Sequence, residues 1–234
     1  MSRNEFQLRL SPRATRMRID VTPGRGVIVV VPEGTPDAAV RRFLDDKRGW
    51  IDRARDRVAS EAGQYDPAEP GELPACLHLR ALAAEYPVQF EPGDRVRVAH
   101  DGAAVRVTGG DDAPARRAAL VAWLKRHGRD HLPPWLQRLA ADHGFDFRRV
   151  AVRGQRTRWA SCSGRGTISL NYKLLFLPPP LVDHVMLHEL AHTRHLNHSR
   201  QFWALLSRLD PDAEQHHRAL HRARRWLPQW VELD

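Results

Sequence analysis

Five of the 13 histidines in this 234-residue chain fall between positions 184 and 198, and their spacing leaves few conformations open to that segment. At about 100° per residue, His184, His188, His192 and His195 share an arc of roughly 80°, with Val182, Met186 and Leu190 on the other side. A helix with one apolar and one imidazole face is therefore predicted, running to about Leu196. Within it, His188-Glu189-Leu190-Ala191-His192 has the H-E-x-x-H pattern. Two imidazoles one turn apart can bind a single zinc ion, and the glutamate between them reaches water held by that ion.

A zinc site of this kind needs a third protein ligand, and His198 is preferred. A continuous helix would carry His198 about 15 Å along the axis from His188. It can join the site only where the helix ends and the chain bends back, a bend that Asn197 could make in the left-handed conformation. The competing arrangement takes a carboxylate, Asp212 or Glu214, from beyond a helix at Arg200 to Leu209. His184 and His195 read as supporting partners or solvated helix residues and stay outside the metal set. The step from His188 to His198 equals that of the metzincins, but His195 stands in place of their glycine, and no methionine follows Met186.

The remainder of the chain reads as an α+β protein. Residues 6 to 31 alternate in strand fashion around Thr22-Pro23-Gly24-Arg25-Gly26, which predicts an antiparallel meander. Thr35-Pro36-Asp37 starts a helix that places Val40, Phe43, Leu44, Ile51, Ala54 and Val58 on one side. Residues 61–74 have connector composition. Short strands are predicted at Cys76–Arg80, Tyr86–Phe90, Arg95–Ala99 and Ala104–Val107. From Pro114 the pattern turns helical, and Pro133-Pro134 divides it into two expected helices. Strand signals at Val150–Arg153 and Thr167–Leu170 precede the histidine helix, and two further helices follow it. The expected division is a β-rich N-terminal module with one covering helix, residues 1–110, and a catalytic domain, residues 111–234.

Composition sets the remaining bounds. A chain that is 42% hydrophobic and 28% charged is ordinary globular material. No apolar run approaches the 18 or so residues that cross a bilayer, so no membrane partner is expected, and the N-terminal residues predict a cytoplasmic location. The only cysteines, Cys76 and Cys162, are far apart and point to neither a disulfide nor a cysteine zinc site. The net charge of +9 admits a polyanionic partner. Arg148, Arg149, Arg153, Arg156, Arg158 and Arg165 crowd the approach to the histidines, and this run reads either as a phosphate-binding surface or as a solvated face.

Several stretches together resemble the YgjP-like zinc metallopeptidases, relatives of the SprT-like and WLM groups. They are Arg156-Thr-Arg158-Trp159-Ala-Ser161-Cys162, Ile168-Ser-Leu170-Asn171, Leu177-Pro178-Pro179, and His188-Glu-Leu-Ala-His192 through Asn197-His198-Ser199 to Phe202-Trp203. Ser11-Pro-Arg-Ala14, Phe43-Leu44 and Trp50-Ile51 extend the likeness toward the N-terminus. Ala160 stands where the family usually has glycine. The resemblance implies a zincin-like fold, zinc ligands at His188, His192 and His198, a catalytic glutamate at Glu189, and a protein or peptide substrate. Through the SprT-like relatives it also implies a possible link to DNA. Two rival classes fit the same residues: a basic nucleic-acid-binding protein with a structural zinc, and a zinc hydrolase of a non-peptide amide. The segment Thr167–Asn171 reads equally as an edge strand for an extended substrate or as an ordinary core strand.

Overall fold

A computed structural model describes residues 6–12, 14–22, 26–62, 73–110 and 112–232, without the side chains of Thr22, 57–62 and Glu232. Most of the connector expected at 61–74 lies outside the described residues. The chain forms two compact units, Met1–Glu72 with Pro228–Asp234, and Leu73–Leu227.

In the first unit, strands β1 (Gln7–Ser11), β2 (Arg18–Thr22) and β3 (Gly26–Pro32) are followed by helix α1 (Asp37–Ala62). The sheet order is β1-β3-β2, with β2 antiparallel and β1 parallel to β3. The expected meander is thus corrected. The valine-rich β3 takes the centre because it can bury side chains along its length, and β1 occupies the edge left open by the β2–β3 pair. Val27, Val29 and Val31 alternate onto one face and pack with Val40 and Ile51 of α1. Thr35 Oγ1 donates to the Pro32 carbonyl at 2.8 Å, and the Pro36 carbonyl accepts from Ala39 and Val40, so the turn leads directly into the helix. Val58 has no described side chain.

The second unit begins with a sheet of β4 (Cys76–Leu79), β5 (Ala84–Glu91), β6 (Arg97–His100) and β7 (Val105–Thr108), in the order β4-β5-β7-β6. The boundary at 110 falls between β7 and the following helix α2 (Ala113–His143), which share this unit: Trp123 of α2 meets Tyr86 and His100 edge-on. Asp112 caps α2 by accepting from the Ala115 amide at 2.6 Å, and Gly144 closes it with φ +66°.

Helix α2 runs through Pro133-Pro134, where two helices are expected. Each interior proline costs about 3 kcal/mol, but Leu132 and Leu136 on either side of the pair are fully buried, as is Leu124 two turns earlier. Burying each leucine is worth about 1.5–3 kcal/mol, and a break would expose one end of that row. The carbonyls deprived of donors belong to Arg129 and Asp130, which are exposed, so water can serve them. Gly128 is required for close approach, since a Cβ there would lie 3.3 Å from both Tyr172 and Val152 side chains.

A second sheet contains β8 (Arg149–Arg153), β9 (Ala160–Cys162) and β10 (Thr167–Asn171) in the order β8-β10-β9. Then come α3 (Pro179–Ala191), α4 (Arg200–Leu209) and α5 (Ala213–Leu220). The core joins Ile168 and Leu170 of β10, Val182, Met186 and Leu190 of α3, and Phe202 and Leu206 of α4, all fully buried. The mixed sheets and helices are those of an α+β protein. No described helix is long and apolar enough to cross a membrane.

Candidate active site

Helix α3 starts where the Pro178 carbonyl accepts from the Leu181 and Val182 amides, with prolines in the first turn where missing amides cost nothing. It is buried on nearly every side rather than along one stripe, since α2, α4, α5 and β9 all pack against it. Trp135 of α2 ties it down by donating to Asp183 at 2.7 Å. The helix stops at Ala191, short of the expected Leu196. Thr193 folds back, its amide and hydroxyl both donating to the Leu190 carbonyl, and the Arg194 and His195 amides donate to Ala191. Ser199 then caps α4 by accepting from the Phe202 amide at 3.3 Å. The reversal needs no left-handed residue at Asn197: among the described non-glycine residues only Ala83 has a positive φ.

This reversal brings His198 over the helix end. His198 Nε2 lies 3.1 Å from His188 Nε2. One donor atom from each of His188, His192 and His198 lies within 4.8 Å of the other two. His192 Nδ1 donates to the His195 carbonyl at 3.0 Å, which leaves Nε2 as its lone-pair nitrogen. Nitrogens about 2.0–2.1 Å from a tetrahedral zinc are about 3.3 Å apart, so the residues present fit such an ion. Burial, followed by repulsion from His192 and His198, pushes the His188 imidazole down to about 3 and keeps it the neutral base that a metal requires. Phe202, fully buried, lies beneath all three rings with centroids 4.9, 4.6 and 4.8 Å from those of His188, His192 and His198. Trp203 stacks on His198 at 5.7 Å.

Glu189 is only 6% exposed. Burial raises its carboxyl to about 7, against the opposing effects of the Cys162 amide, which donates to it, and of the Arg158 charge. Its Oε2 is buried with no hydrogen-bond partner. Edge strand β9 supplies that amide, whereas Thr167–Asn171 is the central strand β10, paired on both sides; the edge-strand reading of that segment is corrected. Val152, Leu170 and Ala160 lie opposite one another across the three strands, and pairing on both sides leaves no free edge on β10. Asn171, at the end of β10, donates to the carbonyls of Gln155 and Arg158 at 2.8 and 2.9 Å and so shapes the loop into β9. Burial and the neighbouring Glu189 charge push the Cys162 thiol up to about 11, so it stays protonated.

A cavity of about 400 Å³ opens beside His188 and Glu189, walled by Trp159, Ala160, Val185 and Leu220 and rimmed by Arg158 and Arg224. The carboxylates weighed as third ligands lie elsewhere: the Asp212 amide donates to Asp210, and Glu214 pairs with Arg218 at 3.3 Å. His184 is 1% exposed, and its Nδ1 donates to Asp210 at 2.6 Å. Asp210 also accepts from His216 Nδ1 at 2.9 Å. Nothing in the linear pattern marks Asp210 for this position, because its partners are set by how α3 and α5 pack.

A buried glutamate beside three converging imidazoles, on a helix packed against a small sheet, is the arrangement of a metallopeptidase. The chain belongs to the YgjP-like family: the model of the "YgjP-like, metallopeptidase domain" matches residues 15–223. No curated protein and no solved structure matches it.

Proposed function

We propose that this chain is a zinc-dependent metallopeptidase in which His188, His192 and His198 hold the ion and Glu189 activates the water that attacks a peptide carbonyl. When bound, zinc supplies Lewis acidity for the carbonyl and lowers the pKa of water to about 7. Glu189 takes the proton of the attacking water on its unpartnered Oε2 and passes it to the leaving nitrogen as the C–N bond breaks. In the metal-free protein burial raises this carboxyl to about 7, so its desolvation favours taking up a proton. The Cys162 amide keeps Glu189 oriented, and the outer edge of β9 offers main-chain groups to an extended peptide.

The observation that carries this reading is the meeting of His188 and His198 Nε2 at 3.1 Å beside a buried, unpartnered carboxylate oxygen. It is tested by metal analysis and peptide-library digestion of the wild type and Glu189→Gln. Stoichiometric zinc in both proteins, with cleavage in the wild type alone, supports it. Wild-type turnover in the variant, or zinc absent from both, defeats it.

A further inference from the structure

The cleft beside Glu189 has a charge pattern that peptide hydrolysis alone does not call for. Glu189 is the sole acid among its described lining residues, and it is buried. Arg158 and Arg224 bring two exposed guanidinium groups to the same cavity. They come from separate parts of the fold: Arg158 from the loop that Asn171 shapes before β9, and Arg224 from the turn Ala223–Trp226. Arg224 is anchored there, since its Nη2 donates to the Arg156 carbonyl at 2.8 Å and so ties the turn to the Arg158 loop. The walls between them, Trp159 and Leu220, are largely apolar.

We propose that this cleft recognises a carboxylate on the peptide next to the bond to be cleaved, with Arg224 as the specificity-determining residue. The inference rests on the peptidase reading and adds a substrate class to it: peptides bearing a glutamate or aspartate side chain, or a free C-terminus, close to the scissile bond. A guanidinium presents planar paired donors that match a carboxylate, which an ammonium or an amide does not reproduce. The field of the two guanidinium groups disfavours peptides with lysine or arginine at this position. Arg158 also acts on Glu189, so its replacement would disturb proton transfer as well as recognition. Arg224 is the cleaner probe.

The experiment uses fluorescent peptides with a common core, in which glutamate or glutamine is walked through three positions on either side of the centre. Each is made with a free and an amidated C-terminus. Binding is read by anisotropy on zinc-loaded Glu189→Gln, and hydrolysis on the wild type. The best acidic peptide is expected to bind about tenfold tighter than its neutral partner, as a charge-assisted hydrogen bond allows. Adding Arg224→Gln should reduce that ratio to about twofold, as should 0.5 M salt, at about the screening expected of an exposed pair. Arg224→Lys should keep a partial preference, and a native melting transition in both variants confirms that each is folded. A preference that follows the free C-terminus assigns the carboxylate to the chain end; one that follows glutamate assigns it to a side chain. Equal binding of acidic and neutral peptides, no binding of either, or an unchanged ratio in Arg224→Gln overturns the inference. Cleavage without acid preference removes it while leaving the peptidase reading intact. Acid-selective binding without cleavage of any peptide removes the peptidase reading and leaves the recognition.

Discussion

Helix α3 carries two histidine constellations one turn apart, and they are built on opposite principles. At His184 the cluster is closed around an acid: Asp210 accepts from Nδ1 of His184 and of His216, and the carboxylate is 7% exposed, while His184 Nε2 is buried without a partner. Those hydrogen bonds outweigh the burial of Asp210 and hold its carboxyl below the ordinary range. At His188 the cluster is open. Glu189 has one partnered and one unpartnered oxygen, its carboxyl is pushed up, and the three imidazoles face one another rather than an acid. The same residue types therefore do different work. Where a carboxylate takes the Nδ1 hydrogen bonds, the cluster joins α3 to the start of α5; where no acid binds the imidazoles, their lone pairs face one another and are left for an ion.

The contrast is broken most directly by Glu189→Gln. Peptide hydrolysis should fall at least about 10³-fold, as expected for loss of a general base, with zinc content unchanged by elemental analysis. Asp210→Ala attacks the closed cluster instead. It strands two imidazole N–H groups and should cost about 3 kcal/mol in denaturant unfolding, while zinc per folded molecule stays the same. Loss of zinc from folded Asp210→Ala would show that the clusters are not independent.

Titration sharpens the comparison. In the metal-free protein Glu189 is raised to about 7 from an ordinary 4.5, so the folded state binds more protons than the unfolded state between those values. Its contribution to stability is present below about pH 4.5 and is lost as pH rises through 7, about 3 kcal/mol in all. The difference between wild-type and Glu189→Gln unfolding free energies should follow that slope. The lowered Asp210 carboxyl works in the opposite sense: its contribution is present above about pH 4 and is lost as pH falls further. A flat difference curve for Glu189→Gln between pH 4.5 and 7 would refute the open-site assignment. The smallest effect is expected from Ser199→Ala, which removes the cap of α4 at about 1 kcal/mol. It should also weaken zinc binding, read by competition with a chelator, because Ser199 follows His198 directly.

Legibility in the sequence follows how local each feature is. The H-E-x-x-H helix and the alternating strands β2, β3, β5 and β7 depend on neighbours a few residues away, and their positions could be read from spacing. The parallel partner of β3, the uninterrupted path of α2 through Pro133-Pro134 and the stop of α3 at Ala191 depend on packing against distant segments. Strand β9 has three residues, too few for alternation to register, yet it provides the amide that meets Glu189.

By itself the sequence determined the chemistry available: two imidazoles and a carboxylate at helical spacing, a third imidazole within reach, and no cysteine pair to compete for a metal. Tertiary structure decided which of those groups are left unsatisfied. The turn at 192–199 carried His198 back to His188, Asp210 occupied His184, and burial raised Glu189. Residue type and spacing are properties of the chain, whereas desolvation and hydrogen-bond partnership arise only when segments far apart in sequence pack against one another.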